Sequence, residues 1–105
     1  MSLPTQEEIL RIVYRAIDEL NPQLPEERRL EKAPETAVFG RAGRLDSLGL
    51  VNLIVAIEQA IEDEFGISVA LADEKAVSQR SSPFRTVGVL AAYVRERLEE
   101  RARVG

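Results

Sequence analysis

Three segments of the sequence repeat apolar residues at spacings of three and four, and this periodicity constrains the fold more than any other feature. In the segment from Thr5 to Leu20 the repeated residues are Ile9, Ile12, Val13, Ala16, Ile17 and Leu20. From Ser47 to Phe65 they are Leu50, Leu53, Ile54, Ile57, Ala60 and Ile61, and from Thr86 to about Arg103 they are Val87, Leu90, Ala91, Val94 and Leu98. Because a helix brings such positions onto one side, the pattern predicts three α-helices around a shared core.

Residues that favour helix ends flank these three segments. Thr5 and Glu8 have the spacing of a capping box, and Thr86 is a suitable N-cap for the last helix. Proline disfavours helix in the residue before it, so Asn21-Pro22 is expected to stop the first helix. Gly66 is expected to end the second helix as its C-cap.

Two connections separate the predicted helices. Residues 21–46 form a long loop in which a helical turn is expected at Pro25-Glu26-Glu27. The residues expected to anchor this loop to the core are Leu24, Leu30, Val38 and Phe39. In the second connection, Ile67 to Leu71 is expected to be extended, and a short third helix is expected from Asp73 to about Gln79. The prediction is one all-α domain over residues 1–105, a small four-helix bundle of three main helices and one short helix.

Composition excludes several classes of function. The chain has 14 basic and 18 acidic residues, a net charge of -4, which does not suit a nucleic-acid binder. It contains no Cys and no His, so disulfides, thiol nucleophiles and a Ser-His-Asp triad are excluded. No apolar run reaches the ~20 residues needed to cross a bilayer, so membrane insertion is not expected. No signal-sequence pattern opens the chain, and the cytoplasm is the expected compartment.

Ser47 stands where the long loop turns into the second predicted helix. There its hydroxyl lies near unpaired backbone amides and the positive end of the helix dipole, a place that favours an attached phosphate diester. A plain N-cap is the simpler interpretation of Ser47, and of Asp46 before it. No base in this sequence activates the hydroxyl as a nucleophile, but it can accept a group when another enzyme supplies the base.

Ser47 belongs to the first of several motifs that follow one another along the sequence. The motifs are, in order, Asp46-Ser47-Leu48, Val51-Asn52-Leu53-Ile54-Val55-Ala56-Ile57-Glu58, Glu64-Phe65-Gly66-Ile67, and Thr86-Val87-Gly88 with Tyr93-Val94. With these motifs in this order, over roughly residues 38–98, the sequence resembles the acyl carrier protein family.

The resemblance implies a bundle of acyl-carrier type and a carrier that is not itself an enzyme. A phosphopantetheinyl transferase would attach 4′-phosphopantetheine from coenzyme A to Ser47, and the arm's thiol would hold an acyl group as a thioester. Asp46 and Leu48 flank the attachment site, and Asp46 would help to position the transferase and its metal. Acyl-loading and acyl-processing partners of ligase, ketosynthase or acyltransferase type are implied, from fatty-acid, lipid or polyketide-type biosynthesis. The chain is expected to be a monomer.

A partner-facing surface is predicted from the helical wheel of the second helix. At ~100° per residue, Val51, Val55, Glu58 and Glu62 lie near the side of Ser47, and Leu48 flanks it. The apolar members are interpreted as a docking patch, against the simpler interpretation of scattered surface hydrophobics. The acids, together with Asp63 and Glu64, are interpreted as residues that pair with basic partners or form an ordinary solvated face.

The sequence departs from the family in two respects. The second helix is about one turn longer, with residues 59–62 as the inserted turn. Its start is also uncharged, because Gly49 and Asn52 stand where family members often have acids, and Arg41 and Arg44 precede Ser47. These departures predict a carrier dedicated to a specialised pathway, with a more apolar interface.

Three other functions remain open from the sequence. A peptidyl (aminoacyl) carrier has the same fold and arm, although Asp46 favours the acyl type. An interaction module with the carrier fold and no arm is disfavoured by the intact Asp46-Ser47-Leu48. A carboxylate enzyme at Glu62-Asp63-Glu64 is disfavoured because adjacent helical positions do not converge.

Overall fold

The computed structural model describes residues 3–40, 43–71 and 84–104. These residues form three α-helices and two short 3-10 turns, which are α1 (Gln6–Leu20), the turns Asn21–Gln23 and Glu26–Arg28, α2 (Ser47–Phe65) and α3 (Val87–Val104). Helix α1 packs against both α2 and α3. The predicted all-α class is confirmed, and the short helix predicted from Asp73 to Gln79 lies outside the described residues.

The helix ends follow the predicted capping signals. The Glu8 amide donates to Thr5 Oγ1 at 3.2 Å, and the Thr5 amide donates to Glu8 Oε1 at 2.9 Å, which completes the capping box of α1. The Val89 amide donates to Thr86 Oγ1 at 3.1 Å at the start of α3. Gly66 ends α2 with a φ of 66°, a left-handed conformation that favours glycine.

Every residue of the three predicted apolar stripes is buried. Leu30, Val38 and Leu71 from the connections join the same core, and Leu24 and Phe39 pack against it while partly exposed. All four predicted anchors of the long loop are therefore confirmed. Burying a side chain of this size is worth about 1.5–3 kcal/mol, so the core is the main source of stability.

The long connection, residues 21–46, is held by hydrogen bonds within itself and to the segment just before α3. The Asn21 side chain donates to the Leu30 carbonyl and accepts from the Leu30 amide, both at 2.9 Å. Farther along, the Val38 amide donates to the Arg85 carbonyl at 2.8 Å, and the Phe39 amide donates to the Phe84 carbonyl at 3.1 Å. After residues 41 and 42, which lie outside the described part of the chain, Leu45 is buried two residues before α2.

Residues 67–71, after α2, form neither helix nor strand, in agreement with the loop predicted there. The last of them, Leu71, is buried, and its carbonyl accepts a hydrogen bond from the Tyr93 hydroxyl at 2.7 Å. Across the residues that the structure describes, no helix combines the length and the apolar character needed to cross a membrane.

Candidate functional site

The first turn of α2 begins with Asp46 as its N-cap. The Gly49 amide donates to Asp46 Oδ1 at 2.8 Å, and the Leu50 amide donates to the Asp46 carbonyl at 2.9 Å. A Cβ on Gly49 would lie 3.2 Å from Leu45 Cδ2 and 3.3 Å from Asp46 Oδ1, so glycine suits this tight turn. From the sequence, either Asp46 or Ser47 could have been the N-cap of α2. In the structure the N-cap is Asp46.

Ser47 is the first residue of α2, and its side chain is exposed. Within the part of the chain that the structure describes, its hydroxyl makes no hydrogen bond. Buried Leu45 and Leu50 hold the backbone on either side of it. The result is a solvent-facing hydroxyl on a rigid helix start.

The helix start also has the electrostatics to accept an anion. The amides of Ser47 and Leu48 precede the first intrahelical hydrogen bond, so no helical carbonyl accepts from them. These amides and the helix dipole place partial positive charge beside the Ser47 hydroxyl. A phosphate ester on Ser47 would therefore lie where α2 favours negative charge.

The large exposed hydrophobic residues in the described part of the chain all lie on α2. They are Leu48 at 69% exposure, Val51 at 48% and Val55 at 41%. These are the three apolar residues predicted for the docking patch. Isolated exposed hydrophobics are common, but three within two turns of one helix beside an exposed serine form a local apolar surface.

The acidic residues of α2 lie away from this apolar surface or bond within the chain. No charged residue occurs from Ser47 to Ile57. The Glu58 carboxylate, predicted to face a partner, is half-buried and accepts a hydrogen bond from the Leu71 amide at 2.7 Å. Glu62 is exposed as predicted, whereas Asp63 and Glu64 lie 3.9 Å and 3.7 Å from the Arg15 guanidinium.

A small depression between α1 and α2 adjoins the apolar surface, and no pattern in the sequence indicated it. Its volume is about 220 Å³, and the residues that line it are Glu19, Leu20, Gln23, Asn52, Val55, Ala56 and Gln59. Its lining comes from residues far apart in the sequence, so no local pattern could have indicated it.

A larger cleft of about 600 Å³ lies near the other end of α2, beside Ile67, Val69 and Leu98. The length of α2 separates it from Ser47, about 28 Å at 1.5 Å per residue. It therefore does not belong to the site around Ser47, although it is the larger of the two. In the described residues, no group of three or more acidic side chains converges to bind a metal ion.

In comparisons with known proteins, no family model, no curated protein and no solved structure matches this chain. The chemistry of the Ser47 site is therefore the basis for assigning a function.

Proposed function

We propose that this chain is an acyl carrier protein that holds acyl groups as thioesters on a 4′-phosphopantetheine arm at Ser47. The proposal rests on the observation that Asp46 and Ser47 have different roles at the start of α2. Asp46 accepts the capping hydrogen bond, which leaves the adjacent Ser47 hydroxyl exposed at the positive end of the helix. A serine that only stabilised the helix would be expected at the capping position instead.

The residues around Ser47 fit an attached phosphopantetheine. The amides of the first turn would face its phosphate, and the exposed side chain leaves room for the arm. When attached, the arm supplies a thiol, which this cysteine-free chain lacks. In the transfer, Ser47 Oγ would bond to the phosphorus of coenzyme A that bears the pantetheine group. The bond from that phosphorus to the bridging oxygen of the diphosphate would break, adenosine 3′,5′-bisphosphate would leave, and the transferase would take the hydroxyl proton.

A carrier role without catalysis agrees with the chemistry available at the site. The chain has no His or Cys, and the neighbouring Asp46 carboxylate bonds to the Gly49 amide. Ser47 is thus an acceptor for a group that another enzyme delivers. We place the carrier in the cytoplasm, with acyl-loading and acyl-processing enzymes as partners.

The absence of charge from Ser47 to Ile57 favours a specialised pathway over housekeeping fatty-acid synthesis. Partners that recognise acids near the serine would find none on these turns. The modified protein should therefore be a poor substrate for a housekeeping malonyl transferase and ketosynthase. Turnover equal to that of their own carrier would contradict this assignment.

The decisive experiment is intact mass after incubation with coenzyme A and a broad-specificity phosphopantetheinyl transferase. Wild type should gain one phosphopantetheine, and Ser47→Ala should gain none. Ser68→Ala is the matched control, because Ser68 is an exposed serine after the far end of α2, and it should be modified like wild type. Modification of Ser47→Ala, or no modification of wild type by several transferases, would overturn the proposal.

A further inference from the structure

The depression between α1 and α2 has the size and position of a receptor for one side chain of a partner. Its volume, about 220 Å³, is below the range of about 300–1,000 Å³ typical of small-molecule sites. Leu20, Val55 and Ala56 contribute its apolar lining, and Val55 is shared with the exposed surface of Leu48 and Val51. The depression is therefore continuous with the apolar surface beside Ser47.

An enzyme that docks on the apolar surface beside Ser47 reaches the edge of this depression. A standard interface buries about 800 Å² on each partner, which corresponds to a disc of about 16 Å radius. Val55 is eight residues after Ser47, about 12 Å along the helix axis, and Asn52 is nearer still. Asn52 and Ala56 lie about 140° and 180° around the helix from Ser47 at 100° per residue, so the enzyme reaches the depression from its Val55 edge.

Three of the residues at the rim of the depression are uncharged. Gln23, Asn52 and Gln59 contribute amides, which offer both hydrogen-bond donors and acceptors. Among the described residues that line it, Glu19 carries the one charge, and Arg15 lies 3.9 Å from it. A complementary partner surface is therefore apolar where it meets Val55 and Ala56 and uncharged where it meets the three amides, away from Glu19.

We propose that this depression receives an apolar side chain of the enzyme that docks on α2 to reach Ser47, and that this contact, rather than ion pairing, selects the partner. The inference rests on the proposed carrier function. It assigns a binding site to residues from both α1 and α2, where the sequence indicated a patch on α2 alone.

The test measures the kinetics of Ser47 modification at saturating coenzyme A, with a broad-specificity transferase as the probe. Ala56→Leu enlarges an apolar lining residue of the depression, and Gln59→Trp adds bulk at its exposed rim. Each should lower kcat/KM for the protein substrate about tenfold, mainly through KM, as expected when a central interface contact is lost. Ala102→Leu, on the exposed end of α3 far from Ser47, is the matched control and should stay near wild type.

A pair of charge variants tests the neutrality of the contact. Gln59→Glu and Gln59→Lys should each lower kcat/KM, because either charge loses its water when the partner docks. If Gln59→Glu raised the rate while Gln59→Lys lowered it, ion pairing with a basic partner would be the selecting contact, and the inference would fail.

The outcomes separate this inference from the function on which it rests. If wild type is modified and both Ala56→Leu and Gln59→Trp are modified with the same kinetics, the docking site would be contradicted. The carrier function would still stand. A concentration-dependent dimer in wild type that both variants abolish would assign the depression to a second copy of this chain instead. Because Gln59 is exposed, Gln59→Trp keeps the test valid even where Ala56→Leu disturbs the fold.

Discussion

Asp46 and Ser47 are both good helix-capping residues, and only the backbone geometry decides which of them caps. Asp46 has an extended backbone with φ of -83°, whereas Ser47 is already helical. The residue with extended geometry directs its side chain at the amide three positions on, which here is Gly49. Two adjacent capping residues do not by themselves show which of them adopts the extended backbone, so the sequence left both possible.

The two roles of Asp46 can be separated by substitution. Asp46→Ala removes the acceptor for the Gly49 amide and should cost about 1 kcal/mol, which lowers Tm by about 4–8 °C in a domain of this size. Asp46→Asn keeps a capping oxygen and should melt near wild type. Both variants should be modified more slowly by the transferase, because both lack the carboxylate that would help to position its metal.

Thermal unfolding and modification kinetics of the same two variants check this. Asp46→Asn with wild-type kinetics would limit the carboxylate to a capping role. Asp46→Ala with a wild-type Tm would instead show that the observed hydrogen bond adds little to stability.

At the scale of the elements, the helices could be predicted because their signals are local. The capping box at Thr5, the apolar stripes and Gly66 all act within a few residues of the structure they specify. The apolar anchors of the long connection could also be predicted, but the hydrogen bonds of the two connections could not. The Asn21 side chain bonds to Leu30, and Glu58 bonds to the Leu71 amide, across loops whose path no local pattern encodes.

The capping box of α1 also gives a pH dependence. The backbone hydrogen bond from Thr5 is the main cause that lowers the pKa of Glu8 below its ordinary value of 4.5. The folded chain therefore binds this proton less readily than the unfolded chain. The contribution of Glu8 to the free energy of unfolding is therefore fully present above about pH 4.5. It is lost as pH falls through the lower pKa of Glu8 in the folded state.

Glu8→Gln isolates this effect, because a glutamine oxygen still accepts from the Thr5 amide but does not titrate. Wild type should melt at a higher temperature than Glu8→Gln at pH 7, and the difference should shrink as pH falls from 5 to 3. The other carboxylates titrate in both proteins, so their contribution cancels. A difference that stays constant or grows on acidification would contradict the assignment.

At the scale of the whole molecule, backbone hydrogen bonds between the long connection and the start of α3 position the segment that leads to Ser47. Ala37 and Thr86 form an antiparallel bridge. Around it, the Val87 amide donates to the Thr36 carbonyl at 3.0 Å and the Gly88 amide donates to the Pro34 carbonyl at 2.7 Å. Sequence reasoning missed this pairing, because single bridges carry no alternating pattern over several residues.

Gly88 tests whether this pairing supports the whole fold. A Cβ at Gly88 would lie 3.1 Å from the Pro34 carbonyl oxygen, so a larger side chain must push the connection away from α3. Gly88→Val should lower stability by about 1–3 kcal/mol, as overpacking does, and should increase amide exchange at Val38. Ala92→Val, at an exposed position of α3, controls for the lower helix propensity of valine and should cost at most about 0.7 kcal/mol. Equal destabilisation by the two variants, with unchanged exchange at Val38, would show that the connection holds its position without this close approach.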